Sequence, residues 1–256
     1  MTRFFSKVPP LVAFALLVAG HAMAQKDTKV FSEMPLVVKP PVFIGITGGV
    51  SIPTGNFAKT DYEDNTSGFA STGFNVGIAG TRMLSRHWGV TGMAAFTRYN
   101  TAGLKSIAAG FVESFAVGDA TVRAQGNNQT FSYMVGGYYS YPFCSKFAVD
   151  IRAMTGLVRA QLAGYEVQLE DNASSAFQQK TANANTIGFQ AGAAARYNFS
   201  KHFGLMFNLD YYYSKPDFEI ENVNRTNYAG RLLTSYNEPI AGVNANFSLV
   251  YTMNRK

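Results

Sequence analysis

From Ala241 to Tyr251 the chain alternates strictly. Ala241, Val243, Ala245, Phe247, Leu249 and Tyr251 form one row, and Gly242, Asn244, Asn246 and Ser248 form the other. Side chains of a strand point alternately to two faces, so this strand has one apolar face ending in an aromatic and one small, polar face. A half-exposed strand of a soluble sandwich usually carries Lys, Glu or Thr on its wet side. Gly, Asn and Ser instead suit a cramped polar interior, with the apolar row facing lipid, which is the pattern of a transmembrane β-strand.

The same alternation predicts seven earlier strands. The first covers residues 42–52, with Val42, Ile44, Ile46, Val50 and Ile52 on one face and Gly45, Thr47, Gly49 and Ser51 on the other. The others cover about 72–83, 88–99, 129–141, 147–160, 185–197 and 203–214. The faces of the strand at 88–99 are ambiguous from sequence alone. Predicted outward rows include Phe131, Tyr133, Val135 and Tyr139; Phe147, Val149, Ile151 and Leu157; and Leu205, Phe207, Leu209, Tyr211 and Tyr213.

A repeat counts these strands. Ser85-Arg86-His87-Trp88-Gly89, Ser145-Lys146-Phe147-Ala148 and Ser200-Lys201-His202-Phe203-Gly204 each place Ser, a basic residue, an aromatic and then Gly or Ala in order. A recurrence every 56 to 59 residues, flanked by strand-like alternation, reads as repeated hairpins. Ser favours tight turns. Three short turns and four long connections join eight strands, which gives the predicted fold class: all-β, an eight-stranded antiparallel transmembrane barrel with periplasmic turns and extracellular loops. Trp88, Phe147, Phe203 and Tyr251 are the predicted aromatics of the periplasmic interface. The long connections are read as residues 53–71, 100–128, 161–183 and 215–238. Leu104, Ile107, Ala108, Phe111 and Val112 fall at helical spacing in the second, so a short helix over the mouth is one reading of it. The segment 116–126 is read as loop that tolerates deletion.

Composition agrees. Only 15% of residues are charged, against about 25% in a typical soluble domain. Arg3 and Lys7, an apolar run over 11–19 and Ala22-Met23-Ala24 have the order of a secretory signal peptide. The expected division is therefore a signal peptide over 1–24, cleaved after Ala24, a proline-containing periplasmic tether over 25–41, the barrel over 42–251 and a short tail over 252–256. Removing the leader lowers the formal net charge by two from +6. No Lys/Arg run points to nucleic acid. The single Cys144 has no intramolecular disulfide partner.

Catalytic and metal chemistry find little support. After the leader, His87 and His202 are the only histidines, both in predicted turns, remote from any outer-rim active centre. His87, Cys144 and His202 lack close ligand spacing. Asp61-x-Glu63-Asp64 lacks the glycine and spacing of a calcium loop and reads as a solvated acidic loop. No catalytic, cofactor or metal site is expected. The chemistry that remains lies on the inward faces, where Asp150, Arg152, Arg196 and Asp210 stand opposite the apolar rows. Charges in so narrow a space are costly unless paired, and the expected pairs are Asp150 with Arg196 and Arg152 with Asp210, a neutral cluster that plugs the barrel.

Together with Ile52-Pro53-Thr54-Gly55-Asn56-Phe57, these patterns resemble the small eight-stranded outer-membrane barrels of the outer membrane protein A and outer membrane protein X type, over residues 42–251. The resemblance implies an integral protein of a Gram-negative outer membrane. It implies contact with outer-membrane lipid and passage through the barrel-assembly machinery. The expected role is structural, or binding and adhesion through the loops to an extracellular ligand or envelope protein. The alternatives are an accessory subunit of a secretion or assembly complex, a narrow diffusion channel, and a soluble lipocalin-like barrel.

Overall fold

The computed structural model describes residues 41–64, 66–115, 119–169, 172–224 and 230–253. The leader, nearly all of the tether and residues 254–256 lie outside them. In chain order the strands are β1 (Val42–Pro53), β2 (Ser71–Met83), β3 (Trp88–Asn100), β4 (Ala120–Gln125), β5 (Asn128–Pro142), β6 (Phe147–Leu162), β7 (Gly164–Leu169), β8 (Asn172–Gln179), β9 (Ala182–Asn198), β10 (Phe203–Ser214), β11 (Asp217–Asn224), β12 (Gly230–Asn237) and β13 (Ile240–Met253). Among the described residues one α-helix, α1, spans Lys105–Phe115.

Eight of these strands close a barrel in the order β1-β13-β10-β9-β6-β5-β3-β2. Every neighbouring pair is antiparallel, and the seam joins the first strand to the last, from Val42 opposite Met253 to Pro53 opposite Gly242. Closure leaves no free edge. The three connections at one end are tight. At two of them the turn serine caps the returning strand: the amides of Trp88 and Phe203 donate to Ser85 Oγ and Ser200 Oγ at 3.1 and 2.9 Å.

The alternation sorts the barrel into two faces. Ile46, Leu157 and Phe247 are each about two-thirds exposed on the outside, while Thr47, Asn75, Thr91, Asn208, Asn244 and Asn246 are buried inside. An outer surface this apolar is stable only against hydrocarbon, so the barrel spans a membrane. β3, ambiguous in sequence, turns Trp88, Val90 and Arg98 outward and Thr91, Met93 and Thr97 inward.

The other end departs from the expectation of loops. β12-β11-β8-β7-β4 form a second, five-stranded sheet. Each of its strands continues a barrel strand after a short break, and the two orders run in parallel: β12 above β13, β11 above β10, β8 above β9, β7 above β6 and β4 above β5. The wall therefore rises past the rim on five strands and stops on β1, β2 and β3. Within 161–183 and 215–238 the described residues pair as antiparallel strands, β7 with β8 and β11 with β12, where loops were expected. Deleting 116–126 would remove β4, which pairs with β7 from Ala120–Leu169 to Gln125–Gly164.

On the side where the wall stops, the first connection and α1 take its place. Gly68, Phe69 and Ala70 donate backbone hydrogen bonds to Asn56, Lys59 and Phe57 at 2.9 to 3.0 Å, folding that connection back on itself. Helical spacing puts Leu104 and Ile107 inward, where they pack with Ala120 and Val167 and against Tyr62, Phe69, Tyr165 and Phe177. We call the five-stranded sheet, the first connection and α1 together the crown.

Candidate functional site

Two places concentrate chemistry: the barrel lumen and the crown. In the lumen the structure brings together all four inward charges. Register places Arg152 of β6 and Asp210 of β10 on either side of Gly192 of β9. A Cβ at Gly192 would run into the Asp210 carboxylate, so its absence lets the guanidinium cross the intervening strand. Arg152 Nε and Nη2 donate to Asp210 Oδ1 and Oδ2 at 2.8 and 2.6 Å. This two-bond fork is the strong form of the contact. Arg196 Nε and Nη2 donate to Asp150 Oδ2 and Oδ1 at 2.9 and 3.3 Å, and Nη2 also donates to Ser140 Oγ at 3.0 Å. The Phe43 ring covers the guanidinium carbon of Arg196 at 4.3 Å, a cation–π contact. All four charged side chains are buried.

Amides and hydroxyls fill the rest of the lumen. Ser51 Oγ donates to Asn244 at 2.6 Å, Asn246 to Asn75 at 3.0 Å, Asn75 to Thr97 at 2.6 Å and Asn208 to Ser248 at 2.7 Å. Tyr212 is buried inside and donates to Ser214. Ser140, Phe43 and Gly192 were not singled out by sequence. Their signal was weak: an inward position in the alternation, with nothing to say which charge lay across the lumen.

At the turn end the four girdle aromatics are exposed. Trp88 packs on Tyr139, Phe147 on Tyr197 and Phe203 on Tyr251, with ring centroids 4.8, 4.7 and 5.2 Å apart. His87 stacks near Tyr139 and Tyr141, and its Nδ1 lies 3.0 Å from the Ser140 carbonyl. His202 stacks on Tyr251. Cys144 is exposed. Among the described residues no three His, Cys, Asp or Glu side chains are grouped to hold a metal.

The crown lines a half-open cavity of about 580 Å³. Tyr62, Phe69, Tyr165 and Tyr236 give it four aromatic walls, and Leu104, Ile107, Leu162 and Ile220 supply aliphatic surface. Among the described residues no Lys, Arg or His lines it. Phe69 takes a left-handed backbone, φ 51°, uncommon for an aromatic and held there by the backbone bonds of the first connection.

Beside this cavity stands Glu238, fully buried between β12 and β13. Its Oε2 accepts from the Tyr236 hydroxyl at 2.5 Å, while Oε1 has no hydrogen-bond partner. Gly68, another lining residue, abuts that oxygen: a Cβ there would lie 2.6 Å from it. Burial pushes the Glu238 carboxyl up to about 7 against the pull of the Tyr236 hydrogen bond. Burial, and then Tyr62, raise Tyr165 to about 12. Of the acidic triplet of the first connection, Asp61 and Glu63 face solvent, while Asp64 is half-buried and lines the cavity. There Asp64, drawn down to about 2 first by the Thr66 hydroxyl and then by Lys59, pairs with Lys59 at 2.9 Å, and Glu63 N donates to Asp61. Nothing in the chain's pattern pointed to the cavity or to Glu238, because a Glu before Pro239 reads as loop.

No protein-family model and no curated protein matches the sequence. Solved structures do. A major outer membrane protein from Thermus thermophilus is 12% identical, with a TM-score of 0.47 over 83% of this chain and 99% of that one. Ail, the attachment invasion locus protein of Yersinia pestis, is 14% identical, with a TM-score of 0.45 over 84% and 99%. The outer membrane protein OprG from Pseudomonas aeruginosa is 15% identical, with a TM-score of 0.43 over 85% and 98%. The solved neighbours are small outer-membrane β-barrels, and this chain closes an eight-stranded barrel by its own pairings.

Proposed function

We propose that this chain is a non-enzymatic integral outer-membrane protein whose barrel is a closed pedestal and whose crown is a binding structure. The observation that carries this reading is the contrast between the two ends of one wall. Within the barrel, two buried ion pairs and an amide network occupy the interior, as expected of an eight-stranded barrel that side chains fill. Beyond the rim, the wall continues as a sheet that helps to line a half-open cavity.

In this reading the leader is cleaved after Ala24, the tight turns and the tether lie in the periplasm, and the crown faces outward. The lipid of the outer membrane surrounds the apolar belt, the barrel-assembly machinery inserts it, and an extracellular ligand or envelope component meets the crown. The test is a planar-bilayer recording with purified protein, alongside fractionation of cells. The expected result is outer-membrane recovery, heat-modifiable mobility on gels and no steady conductance. Steady single-channel current from the parent chain would replace the pedestal with a pore.

A further inference from the structure

The crown cavity has a composition that selects a ligand class. Its volume lies in the range of pockets that hold small molecules, and its lining is apolar with a few polar groups, as such pockets require. Four of the described lining residues are aromatic and none is basic. Aromatic faces attract cations through the ring quadrupole. The Glu238 carboxyl stands directly behind the wall formed by Gly68 and Tyr236, completely buried, with one oxygen unpartnered. A buried acid left half-satisfied is a liability to the fold. Among the described residues of the crown no basic side chain pairs with it: Lys59 is engaged with Asp64, and Lys180, just after β8, with Glu221 of β11 at 3.1 Å.

We propose that the crown cavity binds a small organic cation, an amine or quaternary ammonium on an apolar body, held by Tyr62, Phe69, Tyr165 and Tyr236 and neutralised by Glu238. The proposal rests on the crown being the binding end of the molecule. The aliphatic walls Leu104, Ile107, Leu162 and Ile220 take the apolar body. A neutral ligand would bury the same surface and leave Glu238 unexplained. An anion would meet the Asp64 carboxylate in the lining, with Glu238 behind it and no basic residue among the described lining residues.

Binding is coupled to a proton. Among the described residues, the titratable groups that act on the Tyr236–Glu238 pair are Tyr236 of β12 itself, Tyr165 of β7 and Asp64 of the first connection with its partner Lys59. The tyrosines stay neutral and Asp64 stays ionised across the neutral range, so Glu238 is the group that changes. A cation favours its ionised form, so the cation enters as the carboxyl releases its proton, and affinity rises with pH.

The experiment measures phenyltrimethylammonium binding to the full chain in a non-ionic maltoside micelle, by the methyl NMR shifts of Leu104, Ile107, Leu162 and Ile220. Its uncharged carbon isostere, tert-butylbenzene, and the anion benzoate serve as comparisons. The expected result is saturable binding of the ammonium at least tenfold tighter than of either comparison, and about tenfold tighter at pH 8.5 than at pH 5.5. Glu238→Gln, which copies the protonated carboxyl in shape and charge, should fold with the same heat-modifiable mobility, lose about tenfold at pH 8.5 and show a flat pH profile. Tyr165→Leu should weaken the ammonium at both pH values while sparing tert-butylbenzene. Equal binding of the ammonium and its isostere, or an unchanged pH profile in Glu238→Gln, overturns the proposal. Conductance is measured separately: a silent barrel that binds no ammonium sinks only this inference, and a conducting barrel that binds it sinks only the pedestal.

Discussion

The strands of the crown continue those of the barrel, yet the two regions treat buried charge in opposite ways. In the lumen each charge has its counter-charge within hydrogen-bond reach: Arg152 with Asp210 and Arg196 with Asp150. The buried lumen atoms without partners, on Thr47, Tyr99, Asn208 and Asn246, are neutral. In the crown the cavity lining is mainly apolar and aromatic, and Glu238, the fully buried acid among its described residues, keeps an oxygen unpaired, as does the neutral Ser67 hydroxyl. Desolvation explains the difference. Inside a narrow wall facing lipid, an unpaired charge has no relief, so closure requires pairing. At the crown, near water, an acid can instead take up a proton, and its incomplete pairing leaves it responsive to what enters the cavity.

The contrast is most exposed to attack in the lumen. Arg152→Met strands Asp210 as a lone buried charge and should cost about 3–5 kcal/mol in urea unfolding of the micelle-embedded protein. The double variant Arg152→Met, Asp210→Leu should recover most of that loss. Additive losses in the double variant would mean the two charges are solvated separately and the lumen is open.

The next largest effect belongs to the lipid face. Leu209 lies midway along β10, facing out, while its neighbour Asn208 is fully buried in the lumen. Leu209→Arg should cost about 2–4 kcal/mol in lipid vesicles. Unchanged stability there would assign the faces the other way round.

Glu238 predicts a pH dependence confined to the crown. Its folded value of about 7 lies above the ordinary 4.5. Between those two values the folded chain holds a proton that the unfolded chain has released, so stability falls as pH rises through this window and levels off above about 7. The loss is at most about 3 kcal/mol. Hydrogen exchange at Gly68 and Ala70, corrected for intrinsic rates, should report it, and Glu238→Gln should abolish it. Barrel amides should show no such trend. A trend shared by both regions would show that crown and barrel unfold as one unit.

The smallest effect tests the crown's rim. The Lys59–Asp64 pair is partly exposed on both sides, so Lys59→Ala should leave the thermal unfolding midpoint almost unchanged. A clear loss would make this pair a true latch of the first connection.

Much of the barrel was legible in the chain because a strand between lipid and a packed lumen must alternate at every residue. Val42 to Ile52, Leu205 to Tyr213 and Ala241 to Tyr251 could be placed by counting, and the Ser-basic-aromatic turns fixed how many strands there were. The lumen charges could be found because they broke an otherwise small, neutral row. Their partners depended on register, and the crossing over Gly192 depended on three strands meeting at one level. Of the crown, α1 was legible in the helical spacing of Leu104, Ile107, Ala108, Phe111 and Val112, but the sheet was not. Its strands β7, β8, β11 and β12 carry Gln, Asn, Ser and Glu among their apolar residues, because one side of that sheet faces water, and such composition reads as loop. Only tertiary structure decided that five strands continue past the rim, that the first connection and α1 close the side where three do not, and that Glu238 ends up out of water beside four aromatic rings. Sequence determines alternation because it is a local response to two solvents. A cavity is made by segments distant in the chain, and no local pattern encodes which of them will meet.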